Sequence, residues 1–135
     1  MKDQIEAIKD EFIAYLIAFN SLEPTKVLGF FHLPAMLMTS EEVAIMEKPI
    51  EVLGVFAKLM DELKGKQFEE SKIVSPLQIT QLTDNQAQVV GVAKRFDRSK
   101  KEIEHFGFTY TMRKVEDKWK IIAGVLHEPE TLSNS

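Results

Sequence analysis

The sequence predicts an α+β fold in which three helices from the first half of the chain cover a curved antiparallel sheet of four long strands with short strands beside it. Three observations predict this. Up to Gly65, apolar residues in the longer segments recur at steps of three and four, and after it at steps of two. Turn-forming residues break the second half at 83–86, 97–100 and 116–117. In the last hairpin, His105 to His127, the residues Phe106, Phe108, Tyr110 and Met112 alternate with His105, Gly107, Thr109, Thr111 and Arg113. One face of that hairpin is oily and needs a covering layer. The 135 residues read as one domain, without an internal repeat, low-complexity segment or linker.

Ile5, Ile8, Phe12, Leu16 (or Tyr15) and Phe19 form the stripe of an amphipathic helix from about Asp3 to Asn20. Pro24 suits the first turn of a short second helix that presents Val27, Leu28, Phe30 and Phe31 and stops before Pro34. Ala35–Met38 and Val43–Met46 are short strands. Pro49 opens a third helix that buries Ile50, Leu53, Phe56, Ala57, Met60 and Leu63, with Gly65 as its cap. Phe68–Leu82 is a long strand bent at Pro76, a residue that fits poorly in a central ladder. Ala87–Phe96 and the closing hairpin follow. The polar tail from Glu128 to Ser135 is expected to fray.

The balance of 17 basic and 21 acidic residues, a net charge of −4, argues against nucleic-acid or anionic-membrane partners, which select for excess Lys and Arg. With no cysteine there is no disulfide, thiolate ligand or thiol nucleophile, and the composition fits a reducing cytoplasm. The N-terminal residues lack the apolar core of a signal peptide. No apolar run approaches the ~20 residues that span a bilayer. The three histidines, His32, His105 and His127, show no metal-ligand spacing, and there is no glycine-rich phosphate loop, so neither metal nor cofactor is expected. The basic run from Lys94 to Lys101 is followed at once by Glu102 and Glu104 and reads as a solvated hairpin tip.

The order of elements, with Tyr15–Asn20 ending the first helix, Val27–Phe31 followed by Pro34-Ala35, and the late Tyr110–Arg113, Asp117–Ile121 and His127, resembles the nuclear-transport-factor-2-like superfamily. Its SnoaL-like cyclases, ketosteroid isomerases and scytalone dehydratase share that arrangement. The resemblance spans nearly the whole chain. It implies a sheet wrapped into a cone by three helices, a pocket at the open end, and an outer sheet face used for homodimers. Tyr15 falls on the oxyanion-hole tyrosine of the isomerases, and Tyr110 near their protonated aspartate. Their general-base aspartate falls on Thr39, which cannot take a proton from carbon at neutral pH. Glu41 and Glu42 lie two and three residues on. The aspartate that cyclases pair with a histidine has no evident counterpart, since Asp84, Asp97 and Asp117 all sit in turns.

The resemblance therefore implies first a small-molecule-binding protein. Its pocket would be lined by Tyr15, Phe19, Phe31, Met36, Phe56, Phe106, Phe108, Tyr110, Met112 and His127 and would suit an apolar or aromatic ligand with one or two polar groups. The second reading is a cyclase, isomerase or dehydratase acting on a cyclic carbonyl compound, with Tyr15 and Tyr110 holding an oxyanion and His127 moving the proton. The third is a non-catalytic dimerisation module working through the outer row His105, Thr109, Thr111 and Arg113. His127 faces inward if the hairpin turn is the two residues Glu116-Asp117, which sets Tyr110 opposite Ala123 and Phe106 opposite His127. A one-residue change in the loop turns it outward. For Tyr15 and Tyr110, core packing stands beside the functional role.

Overall fold

The structure, a computed structural model, describes residues 3–130, so most of the expected frayed tail and the first two residues lie outside the described residues. In chain order the elements are α1 (Gln4–Asn20), α2 (Pro24–Leu28), β1 (Phe31–Met38), β2 (Val43–Met46), α3 (Pro49–Gly65), β3 (Phe68–Ile73), β4 (Gln78–Thr83), β5 (Gln86–Asp97), β6 (Glu102–Val115) and β7 (Lys118–His127). The strands form one unclosed sheet in the order β2-β1-β7-β6-β5-β3, with β4 also pairing β5. Four interruptions in the long-strand ladders, at β3/β5, β4/β5, β5/β6 and β6/β7, accentuate its twist and curvature.

Helix α1 starts where the Asp3 carboxylate accepts the Ile5 amide at 3.0 Å. It buries Ile8, Phe12, Tyr15 and Phe19, so Tyr15 and not Leu16 continues the stripe. A side-chain bond pins each end. Gln4 Oε1 accepts from the Trp119 indole on β7 at 3.1 Å. Asn20 meets the backbone of Ser71 on β3 twice, accepting from its N–H at 3.0 Å and donating to its C=O at 3.3 Å. The Asn20 amide thus occupies the place of a neighbouring strand along the edge of β3. At the start of α3, the Glu51 carboxylate accepts from the Glu47 and Lys48 amides at 2.8 and 2.9 Å. The helix buries Val52, Phe56, Met60 and Leu63.

Several boundaries differ from the sequence reading. Ile50 is 73% exposed, because Val52 takes the inner position in the first turn of α3. Gly65 ends α3 without a left-handed conformation, which Gln67 adopts instead at φ 60°. Helix α2 stops at Leu28, and Phe31 belongs to β1. Strand β1 pairs β7 in parallel, so the sheet is mixed and not purely antiparallel. The long strand expected from Phe68 to Leu82 is two strands, β3 and β4, separated around Pro76. Both lie along β5, one on each half.

The final hairpin turns through Glu116 and Asp117, both with positive φ (51° and 66°), a two-residue connection whose twist matches the strands. From Val115↔Lys118 to Met112↔Ile121 the pairing is regular; between Met112 and Thr111 it slips by one residue on β7, and beyond the slip Thr111 faces Ala123 and Gly107 faces His127. The extra residue, Ile122, reverses which side of the sheet every later β7 side chain occupies.

Candidate functional site

The concave face of the sheet and helices α1 and α3 enclose an aromatic interior. Phe12 stacks on Phe108 at 5.3 Å and meets Tyr110 edge-on at 5.1 Å. Phe31 sits 5.8 Å from Tyr15 and 5.4 Å from Phe56. These rings fill the depth of the cone. Beside them lies a cavity bordered by Tyr15, Phe19, Phe56, Phe106, Phe108 and Tyr110, with Leu16, Leu37, Leu59, Ala93 and Leu126 between. Ser71, Lys72, Ile73 and Arg95 complete its border. Some 500 Å³ of free space runs from there towards solvent, but only about 30 Å³ of it admits the centres of water-sized molecules. That is room for about one or two water molecules.

Two polar arrangements face this cavity. In the first, the Tyr15 and Tyr110 hydroxyls share a hydrogen bond of 3.2 Å, both side chains being buried. Tyr15 reaches it from one turn before the end of α1, and Tyr110 from the middle of β6. Gly124, opposite Tyr110, leaves the space in which the Tyr110 ring lies: a Cβ there would meet the ring at 2.6 Å. Burial raises the Tyr15 phenol well above its ordinary value of 10.0, and the nearby Tyr110 adds to this. Burial also raises Tyr110, against the opposing influences of the Tyr15 hydrogen bond and Arg95. Both phenols are therefore neutral at physiological pH. Each has one O–H. The bond between them uses one, and the other has no acceptor among the described residues.

The second arrangement is a row across three strands. Ser71 on β3 faces Arg95 on β5, which faces Glu104 on β6. Facing residues project to the same side of the sheet. Because the Ser71 backbone bonds to Asn20 on its other edge, Ser71 and Arg95 form a non-hydrogen-bonded pair, the closer of the two kinds. Arg95 is 5% exposed. Its guanidinium carbon lies 4.5 Å from the Phe106 ring centroid and 5.3 Å from that of Phe19. Its Nη1 donates to Glu104 Oε1 at 3.1 Å. Arg95 Nε and Ser71 Oγ are buried without a hydrogen-bond partner among the described residues.

The sequence reading placed ten residues around this space, and six of them border it: Tyr15, Phe19, Phe56, Phe106, Phe108 and Tyr110. Phe31 and Met112 are inward but packed behind the lining. Met36 pairs Ala123 and projects from the outer face, where Leu37 is its inward neighbour. His127 is also on the outer face. Its ring covers Gly107, where a Cβ would touch it at 2.6 Å, and its Nε2 lies 3.0 Å from Thr109 Oγ1. The bulge at Ile122 moves it there, away from Tyr15 and Tyr110. Thr39 caps the β1–β2 turn, its hydroxyl accepting from the Glu41 and Glu42 amides at 3.2 and 3.3 Å, and both glutamates are exposed. Arg95, read from sequence as part of a solvated tip, is the buried cation of the interior. Its position in the alternation Ala87, Val89, Gly91, Ala93, Arg95 is the signal that marks it as inward.

A curved, unclosed sheet wrapped by N-terminal helices around an aromatic interior defines a class, the cystatin-like α+β cone. The chain belongs to the family described as NTF2-like protein (DUF6841), which matches residues 3–129. Among solved structures it is similar to a ketosteroid isomerase-like protein from Erwinia carotovora atroseptica (TM-score 0.69, 14% identity, covering 97% of this chain and 100% of that one). It is also similar to an NTF-2 like protein of unknown function from Shewanella oneidensis (TM-score 0.73, 18% identity, 92% and 98% covered). A domain of unknown function with a cystatin-like fold from Nostoc punctiforme matches with TM-score 0.74 at 16% identity, 98% and 82% covered. At these identities the likeness is one of fold. No curated protein matches the chain in sequence. No helix among the described residues is long and apolar enough to cross a membrane.

Proposed function

We propose that this chain is a small-molecule-binding protein that receives an apolar ligand with one or two polar groups in the cone interior. The observation that carries the reading is unused hydrogen-bonding capacity in an otherwise apolar lining: one hydroxyl of the Tyr15–Tyr110 pair, Ser71 Oγ and Arg95 Nε. Buried polar groups are nearly always paired, and leaving one unpaired costs about 1–3 kcal/mol. A cone serving only as a scaffold for assembly has no reason to retain the two that are unpaired, Ser71 Oγ and Arg95 Nε. The space at hand is small, so a ligand's body extends from it towards solvent along the half-buried side chains of Ile73, Phe106 and Leu126 at its border.

Binding is favoured over isomerase, cyclase or dehydratase chemistry by the lining itself. Two neutral phenols can stabilise an oxyanion. A proton still has to be moved, and among the described residues the cavity border contains no carboxylate or imidazole. The test is a ligand-observed NMR screen of small aromatic compounds against the wild type and Ala93→Leu, which fills the cavity from β5. Compounds that bind the wild type and are lost in the variant support the reading. A panel in which none binds the wild type sinks it.

We also propose that two copies associate through the convex face of the sheet. Two rows there cross five strands without a charged side chain: Val43, Met38, Val125, Thr109, Val90 and Ile45, Met36, Ala123, Thr111, Gln88.

A further inference from the structure

Among the described residues one charged side chain, Arg95, is buried in the interior of the cone, and the way it is held narrows the ligand class. Arg95 is 5% exposed, and its planar head lies against the rings of Phe106 and Phe19 at 4.5 and 5.3 Å. Flanking rings of this kind hold a guanidinium in one plane while leaving its edges free. Only one edge is used, by Glu104 through Nη1. Nε, on the other edge, has no partner among the described residues, although desolvating an arginine donor without replacing its water is costly. Nε and the adjacent Nη2 form the fork that matches the two oxygens of a carboxylate. Ser71 Oγ, the facing residue on β3, is the second buried polar atom without a partner. Two orphaned groups on adjacent strands, both bordering the same cavity, make a built site rather than a single misfit.

We infer that Arg95 and Ser71 form a recognition site for the carboxylate of a small apolar monocarboxylic acid, with the acid's body lying along Phe106, Phe108 and Leu126. This rests on the proposed ligand-binding role of the interior and names the class of ligand. Several features select a single negative charge. The guanidinium already shares its charge with Glu104, whose side chain is 34% exposed and so screened by solvent. The Lys72 ammonium is engaged by Glu70 at 3.1 Å. The rest of the border is apolar or phenolic, which disfavours a phosphate dianion. The narrow part of the cavity, about 30 Å³, has room for a carboxylate head and not for a bulkier group. The spare phenol O–H of the Tyr15–Tyr110 pair is a second donor for a ligand whose body ends in a carbonyl or hydroxyl.

The experiment is isothermal titration calorimetry of the full chain with phenylacetate and with phenylacetamide, which matches it in shape without the charge. The same titrations are made on Arg95→Gln, Arg95→Lys and Ser71→Ala. A charge-assisted fork predicts that phenylacetate binds about tenfold or more tightly than the amide. Arg95→Gln removes that preference. Arg95→Lys, which keeps the charge but not the fork, retains only part of it. Ser71→Ala, which leaves the arginine and the fold undisturbed, weakens the acid more than the amide. If Arg95→Gln does not fold, the wild-type acid-to-amide ratio and the Ser71→Ala titration decide the matter. Equal affinity for acid and amide, or a preference for the acid that Arg95→Lys and Ser71→Ala leave unchanged, overturns the carboxylate site while leaving the binding role of the interior standing. Binding of neither compound overturns the carboxylate site, and if the aromatic screen fails as well both readings are overturned.

Discussion

Single residues set the shape of the interior, and glycine 124 shows how. The Tyr110 ring lies directly over it, so Gly124→Ala brings a Cβ within 2.6 Å of Tyr110 Cε2 and 3.0 Å of Leu37 Cδ1. The ring cannot retreat, because Phe12 and Tyr15 pack against it at 5.1 and 5.6 Å. Overpacking of this kind costs about 1–3 kcal/mol, which urea denaturation of Gly124→Ala will register as a lower midpoint. The phenol pair makes a second prediction. Tyr15 and Tyr110 have folded-state pKa values raised above 10.0. Below that pH neither state ionises these groups. Above it the unfolded chain loses the protons first and the folded one holds them, so stability falls as pH rises through and beyond 10. Denaturation followed from pH 8 to 11.5 is expected to show a steeper alkaline decline for the wild type than for the Tyr15→Phe, Tyr110→Phe double variant. Equal slopes would show that the two phenols are not the groups responsible. Of these features the sequence disclosed the identity and inward direction of Tyr110, through its alternation with Thr109 and Thr111. It did not disclose the Tyr15–Tyr110 bond, since a contact across 95 positions leaves no local mark.

At the scale of elements, periodicity carried the sequence reading well wherever an element repeats its pattern several times. Both long helices and the two-residue turn at Glu116-Asp117 were legible for that reason. Features made by one residue were not. The bulge at Ile122 has no marker in the run Trp119-Lys-Ile-Ile-Ala-Gly124, in which apolar residues sit side by side and either register buries something suitable. That one insertion carried His127 from the interior to the convex face. Arg95 was hidden for a different reason: its neighbours Lys94, Arg98, Lys100 and Lys101 are charged and solvated, and composition spoke louder than parity. Asn20 is another such feature, because its amide holds the end of α1 to the edge of β3 at Ser71. Asn20→Ala leaves the Ser71 N–H and C=O unpaired at a half-buried edge. A loss of about 1–3 kcal/mol is expected by denaturation, together with faster hydrogen exchange at the Ser71 amide. An unchanged exchange rate would mean that the strand edge is held by something other than this amide.

At the scale of the whole molecule, the two faces of the sheet are divided by chemistry. The concave face keeps the aromatic interior and Arg95. The convex face bears the two uncharged rows, on which Val43 and Ile45 are 53% and 64% exposed. Solvated sheet faces usually alternate apolar-in with charged-out, and charge is what keeps such faces apart. Here the outward positions at the centre of the sheet are Thr, Val, Met and Ala, while charged outward residues lie beyond them, Lys94 towards one end and Arg113 and Lys120 towards the other. Depletion of charge at the centre of a patch is the compositional mark of an interface core. A self-association through this face buries Thr111 near its middle, facing Ala123 on one side and Gln88 on the other. Thr111→Glu introduces a carboxylate into a row that has no charge, with the cations of this face, Arg113 and Lys120, outside both rows. Its desolvation is expected to raise the dimer dissociation constant about a hundredfold or more. Sedimentation velocity over a concentration series reads this directly, and Thr111→Val, which keeps the shape and removes the hydroxyl, is expected to leave the dimer intact. A wild-type chain that stays monomeric throughout the series, or a Thr111→Glu variant that dimerises as well as wild type, would place the contact elsewhere. The concave site would be unaffected in either case, because its polar groups and lining all come from one copy of the chain, separated from the convex rows by the thickness of the sheet.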